Sequence, residues 1–213
     1  MKWSIRPTFF YADTMPSVRP YRVEDAADLA RICLATADNG GDATGQLDDD
    51  DILPELFVLP YVTRHPDLAF ILCSDDDRPI GYIVGTDDTS AFEAWFGAEW
   101  WPRNAQRWPM PASFTTRTAG MIAYGYSRGH ASAAEFAKFP AELHIDLLPE
   151  GQGAGWGRVL IGHLAAALRE RGVAGVRAGV SKENPGALAF YPRVGFENIA
   201  SDERSQTFGL PLD

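Results

Sequence analysis

The sequence predicts a mixed α/β domain, with a central mixed β-sheet flanked by helices. Strand-like and helix-like patterns alternate along its 213 residues, and 46% of these residues are hydrophobic, enough for a sizeable core. In addition, a strand pattern runs directly into the glycine-rich turn PEGQGAGWG and then into a helical pattern. The length fits a single domain. We expect a short arm at 1–16 and one domain over 17–213, with an insertion at about 86–140.

The N-terminal half contains patterns for a strand, two helices and a hairpin. SVRPYR predicts the first strand, and residues 51–67 predict a second helix, with Pro54 in its opening turn and Pro60 bending or ending it. Residues 68–86 predict two strands joined by the turn DDDRP. Between the first strand and the second helix, residues 24–37 predict a helix with one buried stripe of Leu29, Ile32, Cys33 and Thr36.

The insertion is rich in aromatic residues and interrupted by prolines. Residues 90–101 have helical spacing, and a structureless polar loop would not carry four of the six tryptophans (Trp95, Trp100, Trp101 and Trp108). We therefore expect this segment to pack on the domain, or onto a second copy of the chain in a homodimer.

The C-terminal half alternates strands and helices. Residues 141–149 and 173–181 predict strands, 184–195 a short helix, and 196–200 and 205–210 two final strands. Residues 159–172 predict a longer helix that ends at the capping glycine Gly172 and buries Leu160, Leu164, Ala167 and Leu168.

Composition excludes several classes of function. The net charge of −10 argues against nucleic-acid binding, and no apolar stretch reaches the roughly 20 residues that span a bilayer. The first 17 residues lack the apolar core of a signal peptide, so we expect a cytoplasmic protein without a membrane partner. The acidic run Asp48 to Asp51 predicts a solvated loop or helix start rather than a metal site. Cys33 and Cys73 have no metal-type spacing and predict buried thiols.

The glycine-rich turn predicts an anion site. The first N–H groups of a helix lack internal acceptors, so a strand, a glycine turn and a helix start together form a site for phosphate. A Walker loop would need Gly-Lys followed by Ser or Thr, and a dinucleotide fingerprint would need GxGxxG. Residues 151–157 fit neither motif. They fit instead (Arg or Gln)-x-x-Gly-x-(Gly or Ala), beginning at Gln152.

These residues resemble the coenzyme A motif of the GNAT superfamily of N-acetyltransferases. LHIDLLPE upstream is similar to that family's fourth strand. Downstream, N-x-x-A at residues 184–187 and F-Y-x-x-x-G-F at 190–196 resemble a later helix. The likeness is loose over residues 17–85 and close over 141–210. It implies a GNAT fold, acetyl-CoA as the cofactor, and acetyl transfer to an amine, either a small molecule or a protein lysine.

The long insertion and its flanking strands resemble more specifically the acetyltransferase-like C-terminal domain of O-GlcNAc hydrolases. The resemblance implies a free-standing, bacterial-type relative without the hydrolase part. The animal domain is regarded as a pseudo-enzyme without a proper coenzyme A site. Here the complete Gln-x-x-Gly-x-Gly pattern favours retained cofactor binding.

The resemblance also implies a set of cofactor-binding residues. The backbone around Ile145, Leu147 and Leu148 would pair with the pantetheine arm, and Asn184 would cap its helix, bind the pantetheine, or both. Tyr191 would also contact the cofactor. The pyrophosphate would be held by the turn residues Gln152, Gly153, Ala154, Gly155, Trp156, Gly157 and Arg158.

Three residues are candidates for catalysis. Tyr191 occupies the family's usual position for the acid that protonates the thiolate, although it could instead be a core aromatic, and Pro192 could reorient its helical turn. Asp146 and His144 share one face of a strand and are the candidate bases, with Glu142 behind them. The family often places its base on the face of Leu143 and Ile145. Without a β-bulge, His144 and Asp146 would therefore make structural hydrogen bonds. His65, His130 and His163 belong to no such group.

Two further interpretations remain open beside the enzyme. The chain could bind acetyl-CoA without catalysis, as a sensor or interaction module, or it could be a scaffold that has lost the cofactor, which the intact glycine turn disfavours. The tryptophans of the insertion could line the acceptor site or a dimer interface. The sequence does not identify the acceptor.

Overall fold

A computed structural model describes residues 16–128 and 137–212. Its centre is a seven-stranded mixed sheet in the order β1-β2-β3-β4-β5-β7-β6. Neighbouring strands are antiparallel except β4 and β5, which are parallel. The strands are β1 (Ser17–Pro20), β2 (Ala69–Cys73), β3 (Pro79–Thr86), β4 (Ala141–Leu147), β5 (Gly175–Ser181), β6 (Glu197–Ser201) and β7 (Ser205–Pro211). The GNAT fold implied by the sequence is present.

Seven α-helices flank the sheet within the described residues. They are α1 (Ala26–Thr36), α2 (Ile52–Phe57), α3 (Leu59–Arg64), α4 (Thr89–Trp95), α5 (Arg117–Ser127), α6 (Trp156–Glu170) and α7 (Pro185–Arg193). The predicted stripe of α1 is buried as expected. On α6, Leu160, Leu164 and Leu168 are buried and Ala167 is only partly so.

The single second helix predicted over 51–67 is wrong. The chain breaks at Val58, whose φ of −135° and ψ of −50° are not helical, and two short helices result. Pro60 lies in the first turn of α3, where its missing N–H costs no hydrogen bond, so it opens a helix rather than ending one.

The two faces of the sheet carry separate apolar cores. Helices α1 to α5 pack on one face, against side chains that include Ile71, Tyr82 and Val84. Helices α6 and α7 pack on the other face, against side chains that include Ile83 and Leu143. Successive residues of β4 therefore face different cores: Leu143 and Ile145 face α6, whereas His144 faces α3 and Asp146 faces α1.

The described part of the insertion packs on the domain's own core. From α4 the chain continues through a π-helical turn and a 3-10 turn, and it returns through α5. Trp100, Trp101 and Trp108 are buried. Asp49 of the acidic run accepts a 2.9 Å hydrogen bond from the Trp108 indole and pairs with Arg107. The aromatic side chains thus join α4 and α5 to α2, while His130 lies outside the described residues.

The parallel pair β4–β5 is the point at which the sheet opens. Only Ala141–Val176 and Glu142–Arg177 are paired, at the start of both strands. By contrast, β3 and β4 are paired in a continuous register from Gly81–Leu147 to Thr86–Glu142, without a bulge. The second half of β4 is consequently bonded on one side only, and the functional cleft begins there. No helix in residues 16–128 or 137–212 has the length and apolarity to cross a membrane.

Candidate active site

A cleft of about 750 Å³ lies at the open end of the β4–β5 pair. The end of α1, the glycine turn before α6 and the start of α7 form its other walls. It brings together most of the residues predicted from sequence: Ile145, Asp146, Leu147, Gln152, Gly153, Gly155, Trp156, Gly157, Arg158, Asn184 and Tyr191. His144, Leu148 and Ala154, also predicted, do not line it.

The four glycines of the turn serve two different physical purposes. Gly153 and Gly155 have φ values of +78° and +86°, a left-handed conformation that residues with a Cβ rarely adopt. A Cβ at Gly157 would lie 2.9 Å from Cζ of Phe190 on α7, and one at Gly151 would lie 3.0 Å from a methyl of Leu72. Two glycines therefore shape the turn, and two let neighbouring elements pack closely.

The turn presents free amides to the cleft. Among the described residues, no oxygen accepts a hydrogen bond from the N–H groups of residues 153–157. These N–H groups lie just before α6 and at its first residues. The dipole of this 15-residue helix places partial positive charge at the same end. No side chain lies within 4 Å of a Cβ built on Gly153 or Gly155. An open turn with free donors fits a phosphate-bearing ligand.

Polar side chains around the turn are held in place by the backbone. The Gln152 amide donates to the carbonyl of Leu147 at 2.8 Å, which ties the turn to the end of β4. The Arg158 guanidinium donates to the carbonyl of Arg193, at the end of α7. Asn184 caps α7, as one of its predicted roles requires, because its Oδ1 accepts from the Ala187 N–H at 2.9 Å.

Tyr191 both packs in the core and reaches the cleft. It is only 5% exposed, and its ring stacks on Phe208 at 5.5 Å and meets Phe196 edge-on at 5.0 Å. Burial raises the pKa of Tyr191, so its hydroxyl keeps its proton near neutral pH. Pro192 does not end α7, because the Val194 N–H still donates to the carbonyls of Phe190 and Tyr191. The two interpretations of Tyr191 are thus compatible.

Asp146 faces α1 and lines the cleft. It lies opposite Tyr82 on β3, and its Oδ2 accepts a hydrogen bond from the Tyr82 hydroxyl. Burial raises the pKa of the Asp146 carboxyl, against the opposing effect of that hydrogen bond. Because β4 has no bulge, Asp146 makes the structural hydrogen bond expected in that case. It nevertheless meets two conditions for a base: it lies in the cleft, and its carboxylate is made more basic by its surroundings.

His144 lies on the same face but in a closed aromatic environment. Its Nε2 is 3.1 Å from the Tyr61 hydroxyl oxygen, and its ring meets Tyr61 and Phe57 edge-on at 5.0 and 5.7 Å. Burial, with a contribution from the Arg128 charge, lowers the pKa of His144 to about 3. The ring is consequently neutral near pH 7. Glu142, the weaker candidate, pairs with Arg177 at 3.4 Å.

Sequence reasoning missed the α1 side of the cleft, which Thr36, Asn39 and Gly40 line. Asn39 (φ 54°) and Gly40 (φ 93°) form a tight turn in which the Asn39 amide is 3.5 Å from Glu183. The sequence Asn-Gly-Gly predicts a turn, but it does not predict that this turn lies beside α7.

The remaining histidines and acidic residues form no second centre in the described chain. His65 is 3.2 Å from the Thr86 hydroxyl, and His163 is exposed on α6 beside Phe70. No group of three or more His, Cys, Asp or Glu in residues 16–128 or 137–212 is arranged to hold a metal ion.

Comparison with known proteins identifies the family. The model of the Acetyltransferase (GNAT) family matches residues 87–196, about half of the chain and the part that contains β4, the glycine turn and α7. The chain belongs to the GNAT acetyltransferase family. Within it, the protein SsHAT, solved by crystallography, is 38% identical, with a TM-score of 0.89 over 93% of this chain and 99% of that one.

The chain is also similar to more distant proteins. Protein O-GlcNAcase from Rattus norvegicus and from Mus musculus is 23% identical over 200 residues, which cover 92% of this chain and 21% of each relative. This GNAT chain thus spans about a fifth of the length of these curated relatives. A phosphinothricin acetyltransferase from Sinorhizobium meliloti, solved in complex with AcCoA, shares the fold at 14% identity, with a TM-score of 0.55 over 92% of this chain and 88% of its own.

Proposed function

We propose that this GNAT acetyltransferase transfers the acetyl group of acetyl-CoA directly to an amine. One observation carries the proposal: the cleft at the β4–β5 opening is lined by the glycine turn, by the half-buried Asp146 carboxylate and by Tyr191. A turn of free amides suits the pyrophosphate of acetyl-CoA, and the unpaired edge of β4 suits its pantetheine arm.

The residues that would hold acetyl-CoA follow from the cleft. The amides of residues 153–157 would bind the pyrophosphate, and the backbone of Ile145 and Leu147 would bind the pantetheine amides. Leu148 is a weaker candidate than its neighbours, because its N–H already donates to the carbonyl of Ile80 at 2.8 Å. When bound, acetyl-CoA supplies an acetyl group activated as a thioester.

Two side chains would manage the protons of the reaction. Asp146 would accept the proton that an acceptor ammonium must lose before its nitrogen can attack a carbonyl. Tyr191 would donate its hydroxyl proton to the sulfur as the N–C bond forms and the C–S bond breaks, and the second proton lost by the nitrogen would restore the Tyr191 hydroxyl. Because burial raises the pKa of Tyr191, its proton remains available for this step at neutral pH.

His144 is not part of this proposal as a base. Its lowered pKa, about 3, makes it a weak proton acceptor, and its Nε2 is already engaged by Tyr61.

The hydrogen bonds of His144 and Asp146 to tyrosines give some support to a second function, binding of acetyl-CoA without catalysis. Both candidate bases are hydrogen-bonded to tyrosines, as structural residues would be. The two functions differ in turnover and not in cofactor binding.

Calorimetric titration with acetyl-CoA tests the cofactor site. In the Gly155→Glu variant, a bulky anionic side chain would stand at a position with φ of +86°, where the turn faces its ligand. Gly162→Glu is the matched control: it adds the same charge at an exposed position of α6, with no side chain within 4 Å of its Cβ. We expect saturable one-to-one binding in the wild type and in Gly162→Glu, and a loss of at least about 100-fold in affinity in Gly155→Glu.

The outcomes separate the candidate functions. Binding followed by turnover with a panel of small amines and lysine peptides would support the enzyme, and binding without turnover would support the non-catalytic function. If the wild type does not bind acetyl-CoA at all, both proposals are wrong.

A further inference from the structure

The register of the sheet places Tyr82 directly opposite Asp146 across the β3–β4 pair. Both side chains point toward α1, since residues opposite each other in a sheet share a face. Tyr82 is completely buried, and its ring belongs to the core formed with α1. Its hydroxyl donates to Oδ2 of Asp146. The buried Tyr82 ring thus places one hydroxyl donor against the Asp146 carboxylate, which lines the cleft.

We infer that Tyr82 is a positioning residue, which holds the Asp146 carboxylate ionised and aimed into the cleft for proton acceptance. This inference rests on the proposed function, because it assigns to Tyr82 a role that acts through Asp146. Tyr82 itself is not among the residues that line the cleft.

Thr36 is a weaker donor to Asp146 than Tyr82 is. It lies beside Asp146 at the end of α1 and lines the same cleft. However, a hydroxyl has one proton, and the Thr36 hydroxyl donates to the carbonyl of Ile32 at 2.8 Å, within its own helix. Tyr82 is therefore the main hydrogen-bond donor to the carboxylate.

The charge surroundings of Asp146 make that hydrogen bond important. The titratable groups that face it are Cys33 from α1, Tyr82 from β3 and Tyr191 from α7, and His144 is its neighbour on β4. All four are neutral near pH 7, and no lysine or arginine of the described chain forms an ion pair with Asp146. A half-buried carboxylate without a cationic partner depends on hydrogen bonds to remain ionised.

The Tyr82→Phe variant tests this role with little change in shape, because the ring remains and only the hydroxyl is lost. Tyr126→Phe is the matched control: Tyr126 also packs against the α1-to-α5 core, and its hydroxyl donates to the carbonyl of Trp108 at 3.1 Å, away from Asp146. Two quantities are measured for each protein. One is the pKa of Asp146, from NMR titration of its carboxyl carbon, and the other is kcat/KM against pH for the best amine of the panel.

We expect the pKa of Asp146 to rise in Tyr82→Phe, because the ionised form loses its donor. The acid side of the kcat/KM profile should move to higher pH by the same amount. At the acid end kcat/KM would fall about tenfold, and at the alkaline end it would approach the wild-type value. Tyr126→Phe should lose some stability and show no change in either quantity.

Each contrary result has a distinct meaning. An Asp146 pKa that is unchanged in Tyr82→Phe would overturn the inference without any reference to turnover. A raised pKa with a pH-independent loss of activity would show that Tyr82 is only structural, which also overturns it. Wild-type protein that binds acetyl-CoA and acetylates no amine would instead overturn the proposed function, and the positioning role with it.

Discussion

At the scale of single residues, burial alone does not identify a catalytic group. His144 and Asp146 are two positions apart on one face of β4, and burial favours the neutral form of both, lowering the pKa of His144 and raising that of Asp146. What distinguishes them is position: Asp146 lines the cleft, whereas His144 is enclosed by Phe57 and Tyr61. The same physical effect therefore makes one residue a candidate base and the other a structural histidine.

The half-buried His144 should make the stability of the protein pH-dependent. Its pKa is about 3 in the folded protein and near 6.5 when exposed, so unfolding takes up a proton between these values. The stabilising contribution is complete above pH 6.5 and is lost as the pH falls toward 3. We expect His144→Gln to reduce the slope of the free energy of unfolding against pH by up to about 1.4 kcal/mol per pH unit between pH 6 and 4.

Urea denaturation at several pH values measures this slope. His163→Gln, at an exposed position of α6, is the control for the histidine-to-glutamine substitution itself. Equal slopes in the wild type and in His144→Gln would mean that His144 is not held neutral by the fold.

At the scale of elements, local patterns were predictable from the sequence and contacts between distant segments were not. The buried stripe of α1 and the turn before α6 follow from spacing and from glycine chemistry within a few residues. The break at Val58 does not, because a proline such as Pro60 is compatible with both the end and the first turn of a helix. The pairing of Tyr82 with Asp146 depends on the register of two strands 64 residues apart, which no local pattern specifies.

The contact of α5 with the tryptophan cluster gives a prediction at this scale. A Cβ on Gly125 would lie 2.3 Å from the ring of Trp101, which stacks between Phe96 and Trp108 and so cannot move aside. We expect Gly125→Ala to lower the free energy of unfolding by about 1–3 kcal/mol through overpacking.

Gly120→Ala is the control in the same helix. A Cβ there meets no atom within 4 Å, so the substitution should stabilise the protein by about 0.5–1 kcal/mol through helix propensity. Chemical denaturation of both variants is the measurement. A Gly125→Ala protein as stable as Gly120→Ala would contradict the close packing of α5 on Trp101.

At the scale of the whole molecule, the open β4–β5 pair is both the weakest connection in the sheet and the place where the ligand is proposed to bind. Two residue pairs join these strands, whereas seven join β5 to β7. The cleft residues come from both sides of the opening: Ile145 and Asp146 from β4, and Asn184 and Tyr191 from the segment after β5. A ligand that binds there would therefore connect the two parts of the sheet.

Hydrogen exchange should reveal this connection across the molecule. Amides of residues 143–147 and of the turn 153–157 should exchange more slowly with acetyl-CoA, because both sets would gain acceptors or lose contact with water.

Core amides that exchange only through global unfolding should also slow, by about 100-fold at a ligand concentration 100 times Kd, since the ligand stabilises only the folded state. This second effect should extend to β7, which contributes no residue to the lining of the cleft. Gly155→Glu should show neither effect at the same concentration. If acetyl-CoA slowed the turn amides alone and left the core amides unchanged at saturation, the ligand would not be coupled to global unfolding, and the two parts of the sheet would open independently.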